Sequence, residues 1–255
     1  MMGNADFVVN KDMITARISS DNFVYLIYPL TDGLHILIEC NNAQMPMDES
    51  PEGYQQMIQQ GIKSEIKKLD NTQRIDPETG AAPEAGSCKV RILVAYTDDA
   101  DVNLADPVSF CQSCIDATNT AYDNSSVYFH CEMAVAILEV YAESLNSNTD
   151  KVRFHDTADG YMDDVHDYRT YFDADMCILI TENLQAGICG EAYTVANSTY
   201  TDPFCVVTRG CAVGNLSFPH ELGHLYGCRH DPYVDGTSTP YSYGHGYVRL
   251  ASQWR

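Results

Sequence analysis

Basic residues are scarce in this sequence: 15 Lys and Arg stand against 36 Asp and Glu, a formal charge of −21 at pH 7. Such a surface repels phosphate backbones and anionic headgroups, so nucleic-acid binding is excluded as a principal function. Long apolar runs are missing as well. A spanning helix needs about 20 consecutive apolar residues, and the longest candidates here, such as residues 176–180, have the length of a strand. Met1-Met2-Gly3-Asn4-Ala5-Asp6 lacks a basic n-region followed by an apolar h-region, which predicts that any secretory signal was never there or precedes this numbering. No internal repeat is found, which sets solenoids and propellers aside. What is present, 45% hydrophobic residues in a chain of 255, fills the core of one large domain or two modest ones.

Cysteine is not scarce. Ten stand at 40, 88, 111, 114, 131, 177, 189, 205, 211 and 228, a density high for a reduced compartment, and the expected location is secreted, periplasmic or cell-surface. Cys111-x-x-Cys114 has no second C-x-x-C to complete a four-cysteine zinc site, and no strand-to-helix setting of the thioredoxin kind. The short separation of Cys205 and Cys211, near Cys189 and Cys228, places disulfide pairing within that group.

The patterning changes once along the chain. Residues 1–47 hold short apolar runs at 7–9, 23–28 and 34–38, broken by Asp32-Gly33, which predicts a β-hairpin assembly. Residues 51–69 space Tyr54, Met57, Ile58, Ile62, Ile66 and Leu69 as a helix does. Residues 70–86 are poor in apolar side chains and rich in Gly and Pro, so a domain boundary is placed there, between residues 1–87 and 88–255. Beyond it, strand and helix alternate: strands at 90–96, within 127–141, and at 176–181, helices at 108–122, 159–172 and 216–227, and short strands within 187–194 and at 204–207. This order reads as an α/β (or α+β) fold built on a buried, mostly parallel sheet.

The chemistry concentrates in Pro219-His220-Glu221-Leu222-Gly223-His224-Leu225-Tyr226-Gly227-Cys228-Arg229-His230-Asp231. On a helix, residues four apart share a face one turn apart, so His220 and His224 aim both imidazoles at one point, as tetrahedral Zn2+ requires. Glu221 follows the first ligand and reaches a water on the metal. A straight helix cannot deliver His230 to the same point; Gly227 is the residue that can take a positive φ and turn the chain back. With these residue frequencies H-E-x-x-H arises by chance roughly once in a hundred such chains, and the form extended by Gly and a third His roughly once in 50,000. An incidental histidine-bearing surface helix is therefore set aside.

The extended motif resembles that of the metzincin zinc endopeptidases. Cys189-Gly190-Glu191-Ala192-Tyr193, Phe204-Cys205-Val206-Val207 and the run Cys211-Ala212-Val213-Gly214-Asn215-Leu216-Ser217-Phe218-Pro219 into His220 are similar to the bacterial peptidyl-Asp metallopeptidase branch and its reprolysin-like relatives. Residues 90–97 resemble the first strand of that catalytic domain, Asp231 matches the adamalysin-like pattern, and Tyr25-Leu26-Ile27-Tyr28-Pro29-Leu30-Thr31-Asp32-Gly33 resembles a prosegment. The resemblance implies a twisted, mostly parallel sheet carrying a zinc-binding active-site helix, preceded by a small β-rich prodomain with one helix. It implies Zn2+ on His220, His224 and His230, with Glu221 as general base for peptide-bond hydrolysis in protein or peptide substrates. Gly190, Glu191, Ala192 and Tyr193 form the substrate-pairing edge strand. The resemblance further implies latency, with the prodomain as cleft inhibitor; Cys40 is the expected ligand on the metal, followed by Asp32 and Asp48, and the competing fate of Cys40 is a disulfide to Cys88. The branch tends to prefer an acidic residue after the scissile bond, for which Arg209, before Arg229, is the candidate cation. No Met follows His230 before Arg255, so the methionine turn of the family is expected to lie past the end of this chain. An inactive pseudoprotease or peptide-binding module of the same fold is the rival reading, and a redox protein built on Cys111 and Cys114 is the third.

Overall fold

The computed structural model describes residues 4–19, 23–30, 33–40, 48, 53, 55–56, 89–127, 129–185, 187–195, 202–236 and 241–246. The expected helix at 51–69 falls outside these apart from Gly53, Gln55 and Gln56, which are helical, and the expected linker at 70–86 and Cys88 fall outside them altogether.

Four antiparallel strands, β1 (Asn4–Asn10), β2 (Met13–Ser19), β3 (Val24–Pro29) and β4 (His35–Cys40), form a sheet in that order. β2 has no apolar run to announce it. Its Thr15, Ala16 and Arg17 are buried in sequence, and Arg17 is covered because its Nε donates to the Val213 carbonyl at 3.1 Å.

The second sheet has the order β6-β5-β7-β9-β8, with β5 (Lys89–Thr97), β6 (His130–Glu139), β7 (Met176–Thr181) and β9 (Phe204–Thr208) parallel and β8 (Gly190–Ala192) antiparallel at one edge. Side chains alternate between its faces with period two, and both faces are covered. Ile92, Val94, Ile178, Ile180, Cys205 and Val207 face a core closed by α2 (Pro107–Asn124) and α6 (Ser217–Leu225). Leu93, Ala95, Cys177, Leu179, Phe204 and Val206 face a second core with Phe154 of α3 (Ser147–His155) and Val165 of α4 (Val165–Tyr171). Short helices α1 (Asp98–Asp101) and α5 (Arg209–Ala212) follow β5 and β9. Among the described residues no helix is long and apolar enough to cross a membrane.

Local chemistry explains the helix boundaries. Asp106 caps α2 by accepting from Ser109 N at 3.1 Å, ahead of Pro107 in the first turn. The helix expected over 159–172 begins only at Val165, because Asp159 and Asp163 accept from Tyr161 N and Gly160 N and hold the chain in a turn. α3 is absent from the sequence reading: its buried face consists of Ser147, Asp150, Lys151 and Phe154, so its apolar periodicity is nearly silent.

The two sheets meet through α2. Thr120 Oγ1 donates to Asp6 at 2.6 Å, Asn10 Nδ2 to Asp106 at 2.8 Å, and the Tyr28 and Phe110 rings lie 5.6 Å apart. Val24 and Leu26 enter the same core as α6, so the four strands pack as a layer on it.

Glu139, at the end of β6, is 6% exposed. Burial, and then the charge of Asp164, push its carboxyl up to about 7 from 4.5. A raised native pKa means that its contribution is fully present below the unfolded value and is lost as pH rises toward 7. Glu139→Gln should therefore gain on the wild type between about pH 4.5 and pH 7, by roughly 1–3 kcal/mol, and level off above. Denaturant unfolding across that range tests this; a difference independent of pH would show that ionising Glu139 costs the fold nothing.

Candidate metal centre

α6 carries His220, Glu221 and His224, and its end is made by Gly227. At φ 90°, Gly227 allows its own N–H to reach the His224 carbonyl at 2.8 Å and Cys228 N to reach the Gly223 carbonyl at 2.9 Å. The chain then reverses and returns His230 to the helix. A short parallel pairing fixes the returning segment: Arg229 N donates to Gly244 O at 2.7 Å, Gly246 N to Arg229 O at 2.9 Å, and His245 Nδ1 lies 2.7 Å from the His230 carbonyl. Arg229, 3% exposed, is paired with Asp235 beneath this turn.

The three imidazoles converge. His220 Nε2 lies 3.0 Å from His224 Nε2 and 3.3 Å from His230 Nε2, and these three residues form the one group of potential metal ligands among the described residues. Tetrahedral zinc with bonds of about 2.0–2.1 Å requires nitrogen separations close to these. His224 Nδ1 meets the Cys228 carbonyl at 2.8 Å, so it carries the proton and leaves Nε2 as the lone-pair donor. The donor set and its spacing fit zinc. A cavity bounded by Pro219, Gly223, Cys228, Asp231 and the three histidines opens beside them.

Glu221 is fully buried against β8. The pairing of Gly190 with Val207 turns Gly190 toward α6, and a Cβ built there would stand 2.8 Å from both Cγ and Oε1 of Glu221 and 3.0 Å from the Val206 carbonyl. Glycine is the residue that lets the glutamate and the strand coexist. Glu191, on the opposite face, accepts from Lys151 Nζ and Ser147 Oγ of α3, with Lys151 0% and Glu191 1% exposed. The Cys189–Cys211 disulfide ties the start of β8 to α5, just ahead of α6. It falls within the cysteine group expected from spacing.

The remaining expected site residues are distributed differently. Glu191 presents its side chain to α3 rather than to the cleft, and Tyr193 stacks on His155 with centroids 3.7 Å apart. Arg209 is held by Glu182 through Nε at 2.6 Å and a terminal nitrogen at 2.8 Å. Cys40 ends β4 half-buried, its thiol pushed up by burial against the opposing charge of Arg17, and it does not join the three-histidine group. The reason is that its sheet docks on α2. Asp48 is the residue brought to the cleft: its carbonyl accepts from Cys189 N at 2.9 Å and Gly190 N at 2.8 Å, and its carboxylate accepts from Ser217 Oγ and lies 3.8 Å from His220 Nδ1. Ser217 escaped the sequence reading, although its position one helical turn before His220 puts it on the same face. Cys111 and Cys114 are both buried within α2 and unbonded, with burial raising both thiols, the reverse of a reactive redox pair.

Comparison with known proteins agrees with this layout. The profile of metallo-peptidase family M12 (Reprolysin_5) matches residues 87–251, and the chain belongs to that family. It is 34% identical over 258 residues to the peptidyl-Asp metalloendopeptidase of Xanthomonas campestris pv. campestris, an alignment covering 100% of this chain and 58% of that protein. It is 34% identical over 247 residues to the protein of the same name from Stenotrophomonas maltophilia (strain K279a), covering 96% of this chain and 56% of that one. The chain thus spans a little over half the length of these relatives. Among solved structures, one described as a chaperone-substrate complex matches 65% of this chain and 26% of its own, with TM-score 0.50 and 16% identity, a likeness of fold.

Two consequences follow for β8. Glu191→Ala leaves the Lys151 charge buried and unpaired and should cost about 3–5 kcal/mol in denaturant unfolding; a loss under about 1 kcal/mol would mean that water reaches the pair. Gly190→Ala forces a Cβ against Glu221 and the Val206 carbonyl and should cost about 1–3 kcal/mol in denaturant unfolding. An unchanged stability would show that the Glu221 side chain and the strand yield without cost.

Proposed function

We propose that this chain is the latent form of an exported zinc endopeptidase that hydrolyses peptide bonds, with aspartate at the cut as the substrate preference carried in its relatives' names. The observation that carries the reading is the meeting of His220, His224 and His230 at zinc spacing beside the buried Glu221. Zinc, when held by the three imidazoles, supplies a Lewis acid that acidifies a water and polarises the scissile carbonyl. Glu221 takes the proton of the attacking water and passes it to the leaving amine. Its burial keeps bulk water from competing for that proton.

β8 holds the substrate. Thr208 N bonds to Cys189 O and Tyr193 N to Phe204 O, so alternation leaves the N–H and C=O of Gly190 and Ala192 pointing outward. An extended peptide adds there as a further strand, fixed by main-chain bonds whatever its side chains. Residues 1–87 act as the inhibitor, with Asp48 in the place of that peptide and cleavage within 70–86 as the releasing step. The Cys189–Cys211 disulfide supports an oxidising destination, secreted, periplasmic or at the cell surface.

Elemental analysis of the full-length protein should find one zinc per chain, and Glu221→Ala should retain it while hydrolysis of a denatured protein falls by about 10²–10⁴. Absence of zinc after reconstitution would refute the site. A variant that kept the wild-type rate would remove Glu221 from the proton transfer.

A further inference from the structure

Asp48 touches the cleft at two places, and they are chemically different. Its carbonyl takes the outward N–H of Gly190 at 2.8 Å, the bond a substrate strand would make. Its carboxylate lies to the side of the metal site, accepting from Ser217 Oγ and facing the Nδ1 side of His220 at 3.8 Å, while Nε2 of that ring faces the other two histidines. The chain therefore already holds an aspartyl residue with its main chain on the edge strand and its side chain against Ser217 and His220 of α6.

We infer that Ser217 is the specificity-determining residue that reads the aspartate side chain of the substrate, in the seat Asp48 occupies in the latent protein. The inference rests on the peptidase reading above and adds to it the residue that makes the choice. Ser217 is fully buried, so its hydroxyl has no solvent to turn to. Asn215 Nδ2 donates to Ser217 Oγ at 3.3 Å, which fills a lone pair of the oxygen and directs its proton at the carboxylate. An imidazole that binds metal through Nε2 carries its proton on Nδ1, so His220 presents a second N–H to the same side. Among the described residues, the groups around this carboxylate are donors and include no Lys or Arg. The two cations close in sequence are committed elsewhere, Arg209 to Glu182 and Arg229 to the buried Asp235.

This arrangement selects aspartate on two grounds. Asparagine offers its carbonyl oxygen to Ser217 without a charge, and hydrogen bonds to charged acceptors are roughly twice as strong. Glutamate is one methylene longer, so a main chain pinned at Cys189 and Gly190 carries its carboxylate past the hydroxyl that Asp48 reaches.

The test uses zinc-loaded full-length protein, activated by proteolysis, and four peptides differing at one position, Asp, Asn, Glu or Ala, with cut sites mapped by mass spectrometry. The wild type should cut at Asp at least tenfold faster, in kcat/KM, than at Asn or Glu. Ser217→Ala should lower the Asp-to-Asn ratio on the order of tenfold or more with zinc retained, and Ser217→Thr, which keeps the hydroxyl, should restore it. A ratio unchanged in Ser217→Ala, or a wild type that cuts Asp and Asn equally, overturns the inference and leaves the peptidase reading standing. A wild type that binds zinc but cuts none of the four overturns the peptidase reading, and the contact is then judged without activity. In thermal unfolding of the intact chain, Asp48→Ala and Ser217→Ala should be non-additive, the double variant melting no lower than the less stable single one. Additive shifts would show that the two side chains do not act on each other.

Discussion

The pairing of Gly190 with Val207 sets the rest of the site. β8 has three residues, and a one-residue slip would exchange its faces. In the observed register Gly190 turns toward α6 and leaves room for the carboxylate of Glu221, while Glu191 turns toward α3 and meets Lys151. Slipped, the strand would drive a side chain into Glu221 and leave a lysine ammonium alone in the core. Three constraints oppose that slip: the cross-strand bonds, the buried ion pair, and the Cys189–Cys211 disulfide just before the strand. A strand of this length has too few ladder bonds to hold its register unaided.

The ion pair is an expensive way to position a strand. Two charges removed from water repay their desolvation only with good geometry and satisfied hydrogen bonds. Ser147 supplies one of these bonds, from the same helix as Lys151. An apolar pair would pack as well but would not distinguish one register from its neighbour, since hydrophobic contact is not directional. Placed behind the strand that meets Glu221, the charge pair gives direction at the edge beside the three histidines.

The first four strands bear on the same region from the other side. Arg17 of β2 ends on the Val213 carbonyl, four residues before α6 begins, and Val24 and Leu26 share the core that receives Phe218 and Leu222. The strands that precede Asp48 in the chain are thus anchored in the layer beneath α6. Loss of the contacts at Asp48 would leave this sheet in place, because it is held by buried apolar surface.

The three-histidine group was legible in the sequence because its geometry is local: i and i+4 on one helix, and a glycine whose positive φ returns the third histidine within six residues of the second. The buried strands at 90–96 and 176–181 were legible as apolar runs, and α2 as a helical pattern over 108–122. α3 was not, since its inward face is made of polar residues whose partners lie on another element. The same limit applies to the rest of the site. Asp48 and Ser217 are 169 residues apart, and Lys151 and Glu191 are 40 apart. Arg209 looked available from its neighbours along the chain until folding placed Glu182 against it, and Cys40 looked suited to zinc until its sheet docked on α2. Spacing along a helix is set by the backbone and can be read from one segment. Which carboxylate meets which cation, and which residue from the first part of the chain reaches the cleft, depends on how separate segments pack, and only the tertiary structure decided it.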